Sequence, residues 1–264
     1  MSRSNPNENT NPNPSTRWFE WNGEKGIVRY YDKDEKRNVD VGSEFTFILL
    51  DELGSVRGWH DASDSGIYSN EVKDTRQEAM VVKSFKGGTL AEGIYRDIKD
   101  RVNALGGQFV ANCYIAFKDS GGALVIGSLR FKGAALGAWM EFRKAHRADI
   151  FAKAIRINGF TEGKKGRIVF RMPVLATKDI SPDMDRAAIA LDGTLQEFLT
   201  AYLKRPKREQ VEDHHDENRD EDTQEDEPDR DPVNELTDDD IPFAWLLPLA
   251  LPLTGLLSMC ALWM

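Results

Sequence analysis

The sequence has only two cysteines in 264 residues, Cys113 and Cys260. They lie far apart, and neither stands at metal-ligand spacing from another thiol or imidazole. A disulfide scaffold and a zinc module are set aside, and a reducing compartment is favoured. Cys113 falls in the apolar run FVANCYIAF and reads as a small core residue. Histidine is equally sparse, with four. His60 stands beside Asp61 and Asp64, but no second His or Cys in the body completes a site at ordinary spacing. His146, beside Arg143 and Arg147, reads as part of a basic helix face. His214 and His215 lie among carboxylates and read as solvated linker residues. The first residues, MSRSNPNENTNPNPST, contain no apolar run, which excludes a secretory signal there.

A phosphate-cradling glycine loop is missing as well. GFTEGKKG has the glycines and lysines without the spacing, and its place between IRIN and RIVFRM predicts a hairpin turn. No nucleophile stands beside an obvious base. The expectation is a protein that is not an enzyme and needs no cofactor or metal.

Charge of one sign is nearly absent from the C-terminal quarter. Residues 209–264 carry 17 acidic side chains against two arginines. Residues 101–178 show the reverse, 14 basic against four acidic. The net charge of −9 therefore hides a basic body joined to an acidic tail. That segregation predicts a polyanion-binding surface and a tail that repels or mimics polyanions.

Five segments follow from composition. Residues 1–16 are rich in Asn, Pro and Ser and are expected to be disordered. Residues 17–204 form one β-rich domain. Residues 205–240 are an acidic linker with too few apolar side chains to build a core. Residues 238–243 read DDDIPF. Residues 244–264, AWLLPLALPLTGLLSMCALWM, carry no charge.

Within the body, KGIVRYYD, SEFTFILLDEL, SVRGWHDA and AMVVKSF predict strands. TLAEGIYRDIKDRVNAL predicts a helix, with Leu90, Ile94, Ile98, Val102 and Leu105 at helical spacing and Gly106-Gly107 ending it. DSGG joins two strands, GQFVANCYIAFK and GALVIGSLRFK, in a hairpin. Residues 133–154 predict a helix broken near His146, and residues 155–178 a second hairpin. Ser181 as N-cap and Pro182 at the first position open a closing helix. About seven short strands with helices inserted late predict a mainly β fold with added helices (α+β), an OB-like, partly open antiparallel barrel.

Single-strand binders need cations along the phosphates and rings on which bases stack. Lys83, Phe85 and Lys86 fall together in KSFKGG. Arg130 and Lys132 share one face of SLRFK, and Phe131 points the other way. Lys164, Lys165, Arg167 and Arg171 mark a third basic strand, with Ile168, Phe170 and Met172 out of phase. Phe131, Phe170, Trp139 and Phe142 are expected in the core. Trp59, Tyr68 and Phe85 are the expected stacking platforms.

TDDDIPF after a long acidic linker and a basic β-rich body resembles the layout of bacterial and phage single-stranded-DNA-binding proteins. GIYSNEV, KGGTLAEGIY and KGAALGAWMEF, within residues 17–204, are similar to phage and prophage proteins and bring no catalytic motif. The resemblance implies an OB-fold domain that coats single-stranded DNA in phage or mobile-element replication and recombination. It also implies a tail that recruits replication and repair proteins through Asp238, Asp239, Asp240, Ile241, Pro242 and Phe243, and a cytoplasmic setting (host cytoplasm if phage-encoded); the oligomeric state stays open, with a homo-oligomer as one option. The chain departs from that pattern at Phe243, which has no free carboxylate because residues 244–264 follow. Those residues are long enough to cross a bilayer, although Pro248 and Pro252 would kink the span and no Lys or Arg flanks it. Three readings stand for this segment: a membrane anchor, an apolar segment folded back on the body or a partner, and an extension that masks the tip. The anchor reading makes the chain a tail-anchored membrane adaptor with a cytoplasmic basic domain.

Overall fold

The computed structural model describes residues 12–211. The acidic linker beyond Val211, the DDDIPF motif, residues 244–264 and most of the N-terminal tail lie outside the described residues. Eleven strands and three α-helices follow in the order β1 (Trp18–Asn22), β2 (Ile27–Asp32), β3 (Arg37–Gly42), β4 (Glu44–His60), β5 (Ser65–Ser69), β6 (Ala79–Ser84), β7 (Gly88–Ile94), α1 (Tyr95–Ala104), β8 (Gly107–Lys118), β9 (Leu124–Lys132), α2 (Gly133–Ala145), β10 (Ala154–Lys165), β11 (Ile168–Lys178) and α3 (Pro182–Lys204). The fold is mainly β with added helices, built on one open sheet of order β3-β2-β1-β9-β8-β4-β5-β6-β7. β10 branches from the N-terminal part of β4 and pairs with β11. β1 runs parallel to β9, an exception to the expected antiparallel pairing.

β4 is the spine. Sequence reading splits it at Gly54, yet it runs unbroken for 17 residues. A Cβ on Gly54 would lie 2.7 Å from the Phe109 ring, so the glycine admits a cross-strand neighbour instead of ending the strand. Residues 88–94 also depart from expectation. They form β7, not the first turns of a helix, and α1 begins at Tyr95. The turn after β6 returns the chain for direct pairing of Ala79 with Ile94 and Val82 with Ala91. Gly93, at φ +152°, interrupts the helical continuity that Leu90 and Ile94 suggested. β1, β3 and β5 were not anticipated; each is only five or six residues long. The DSGG hairpin, the second hairpin and the Ser181 cap are as expected, whereas the helix expected to resume after His146 does not: α2 ends at Ala145 and turns lead from His146 into β10. The Met184 amide donates to Ser181 Oγ at 3.3 Å.

The two sheet faces carry separate cores. One gathers Phe47, Val56, Phe109, Cys113 and Phe131 with Leu136, Trp139 and Phe142 of α2. Trp139 stacks on Phe131 with ring centroids 5.0 Å apart. The opposite face packs Ile48, Leu50, Tyr114 and Ile126 under Leu195, Phe198 and Tyr202 of α3. Among the described residues no helix is long and apolar enough to cross a membrane.

Candidate nucleic-acid interface

Side chains opposite one another on paired strands share a face. Arg29, Glu20, Arg130, Asn112 and Leu53 form one such row across β2, β1, β9, β8 and β4. Gln108, Arg57, Tyr68, Lys83 and Thr89 form a second across β8, β4, β5, β6 and β7. Leu53 belongs to the α3 core, and Arg57 lies in phase with it, so both rows lie on the α3 side of the sheet. Lys132 is in phase with Arg130. Arg130 and Lys132 of β9 and Lys83 of β6 therefore share one face.

Trp59 is in phase with Arg57, and its cross-strand partner is Gly66. The Phe85 amide donates to the Gly66 carbonyl from the other side, at 3.2 Å. Trp59 and Phe85 thus flank a glycine, and both are half-buried. Tyr68 is only 5% exposed. It stacks against Phe85 at 4.5 Å between centroids and packs with Val81 and Val211. Its ring supports Phe85 and is not itself an open platform. Lys86 is exposed, and its Nζ donates to the Asp64 carbonyl at 3.0 Å.

Glu20 sits in the basic row. Burial pushes its carboxyl up, but Lys132, Arg29 and Arg130 outweigh that and hold it below the ordinary carboxylate range. Arg29 Nε donates to it at 2.6 Å. Between the rows lies a group the sequence did not signal. Glu71 is fully buried. It accepts from Tyr114 Oη at 2.8 Å and from Asn112 Nδ2, and its amide donates to Tyr202 Oη at 3.3 Å. Ser128 Oγ donates to Asn112 Oδ1 at 2.5 Å. This network joins the segment after β5, the sheet and α3. Nothing in GIYSNEV distinguishes Glu71 from a surface carboxylate.

The remaining expected site residues lie on the β10–β11 hairpin. Lys164, Lys165 and Arg167 are exposed around its turn. Arg171 has a structural task. It pairs with Glu162 at 2.8 Å, donates to the Glu24 carbonyl and lies over the Phe160 ring. Its own carbonyl accepts from Trp21 Nε1 at 2.8 Å. Phe131, Trp139 and Phe142 are in the core as expected. Phe170 is not: it is half-buried on the hairpin, its ring over Gly163. His146 packs on Phe142 and lies 3.5 Å from Asp149.

Folding also pairs a hydroxyl with an imidazole where the sequence showed no nucleophile beside a base. Ser63 Oγ lies 2.7 Å from His60 Nδ1, and also contacts Ser65 Oγ at 2.9 Å and Ser84 Oγ at 3.2 Å. Ser84 Oγ in turn accepts from the Gly87 amide, so the cluster ties together the turns after β4 and β6. Comparison of the chain with known protein families, with curated proteins and with solved structures found no match.

Proposed function

We propose that this chain is a non-catalytic single-stranded-DNA-binding protein that coats the strand with the α3 side of its sheet. The observation that carries the reading is that Arg130 and Lys132 of β9, Lys83 of β6, Trp59 of β4 and Phe85 just after β6 fall on one face of the sheet. Cations at that face neutralise phosphates and release counterions, a contribution that weakens steeply with salt. The two half-buried rings offer stacking worth about 1–3 kcal/mol per base. The sheet is read as an OB-like, partly open barrel. What supports this is the return of β11 to the β1–β2 turn, where the Arg171 amide donates to the Gly23 carbonyl at 2.8 Å. Asp238, Asp239, Asp240, Ile241, Pro242 and Phe243 then serve as the recruiting segment for replication and repair proteins.

The test is fluorescence anisotropy with labelled oligo(dT) and a duplex of equal length, on the full chain and on a chain ending at Val211. Both should prefer the single strand at low salt. Arg130→Glu with Lys132→Glu should weaken binding at least tenfold. Lack of binding by either chain at low salt overturns the proposal, and equal affinity for duplex replaces it with a general polyanion binder.

A further inference from the structure

β11 is regular throughout, with its register shift carried by β10 between Ile157 and Phe160. Its alternate residues therefore divide cleanly. Pro173 and Leu175 turn inward, and Leu175 packs against the α2-side core. Ile168, Phe170, Met172, Val174 and Ala176 turn outward in one unbroken apolar stripe. Ile168 is 48% exposed and Val174 37%. Among the described residues none of the five belongs to an apolar cluster. Opposite the stripe on β10 stand Thr161 and Gly163, small enough to leave a flat shelf. At the turn end of the stripe Lys165 pairs with Ile168 on the same side, and the exposed Lys164 and Arg167 flank it from the alternate positions.

The chain owns a segment with the matching order of properties. Asp238, Asp239 and Asp240 are followed at once by IPF and then by the uncharged residues 244–264. We propose that residues 244–264 of the same chain dock on the outer face of the β10–β11 hairpin, with the three aspartates against Lys164, Lys165 and Arg167. Acidic meets basic at the turn, and apolar meets apolar along the stripe. Reach is no obstacle, because the stretch between Val211 and Ala244 spans on the order of 100 Å when extended. A tether of this length also holds its end at an effective concentration of order millimolar, so modest complementarity suffices. Pro248 and Pro252 lack amide donors, which favours contact through side chains on the face over addition of a strand to the edge.

Cys260 lies within the segment, and Cys113 is fully buried, so one introduced thiol makes a two-point probe. In the full chain, Ile168→Cys or Val174→Cys should bridge to Cys260 with a short bismaleimide. The yield should stay the same over a hundredfold range of protein concentration. Ile189→Cys, on the exposed side of α3 at 63%, should bridge at least tenfold less. Adding Phe170→Asp and Met172→Asp to Val174→Cys should reduce its bridging to the Ile189→Cys level. Equal bridging at both places, or bridging insensitive to the two aspartates, overturns the proposal. Bridges that form only between chains assign the face to a second copy. A chain that floats with phosphatidylcholine vesicles and does not bridge assigns the segment to a membrane. Either result also overturns the proposal. None of these outcomes bears on whether the face with Arg130, Lys132 and Lys83 binds DNA, which anisotropy reads separately.

Discussion

Glu20 and Arg130 are direct partners across the parallel β1–β9 pair, so a carboxylate lies in the middle of the basic row. Lys132, Arg29 and Arg130 keep it ionised against the push of burial. Glu20→Gln removes one negative charge without changing shape. It should tighten single-strand binding severalfold at low salt, and the gain should shrink as salt rises. The same group affects stability. Its folded value lies below the unfolded one, so its contribution is present above the ordinary carboxylate range and is lost as pH falls through the lowered value. Acid unfolding monitored by circular dichroism should therefore be shallower in Glu20→Gln.

Glu52 behaves in the opposite sense. Burial pushes its carboxyl up and outweighs Arg143 and the Trp139 indole, which donates to it at 2.9 Å. A raised folded value means stability that is full below the unfolded value and lost as pH rises through the folded one. Glu52→Ala leaves the Arg143 guanidinium, only 11% exposed, without its carboxylate and should destabilise by about 3 kcal/mol. Glu52→Leu combined with Arg143→Leu should recover most of that loss. Urea midpoints at unchanged slope measure both.

Gly58 and Gly106 hold β4 against the turn before β8. A Cβ on Gly58 would lie 2.1 Å from the Gly106 carbonyl oxygen, and one on Gly106 equally close to that of Trp59. These neighbours are backbone and cannot swing aside. Gly58→Ala should cost about 2 kcal/mol or more in thermal or chemical unfolding. Gly137→Ala, where nothing lies within 4 Å, should be neutral or slightly stabilising.

Val211 packs against Tyr68 and Val81 at the Tyr68–Phe85 stack, and the acidic run begins in sequence at the next residue, Glu212. A chain ending at Val211 should bind oligo(dT) more tightly than the full chain at low salt, and the two should converge as salt rises. Identical curves, or a gap that widens with salt, would show that the tail does not compete for this surface.

Much of the local architecture was legible from neighbours in sequence. DSGG and GKKG close hairpins because the turn residues and the flanking alternation lie within a few positions of each other. Ser181 followed by Pro182 starts α3 for the same reason. Cys113, Phe131 and Trp139 were readable as core because apolar runs have no other place to go.

What the tertiary structure decided depends on strand pairing. Residues 88–94 have helical spacing, but β6 offers them a ladder, and the ladder wins. Phe170 looks like a core residue by composition, yet its parity on β11 turns it to the outer face. Glu71 becomes a buried hub only because Tyr114, Asn112 and Tyr202 arrive from elements far along the chain. The placement of Arg130 and Lys132 on one face with Lys83, Trp59 and Phe85 has the same origin. Alternation within each strand, a local property, told which residues share a face. Which strands lie beside one another, and in which register, is set by burying both faces of β4 and β8 at once, and no single segment carries that information.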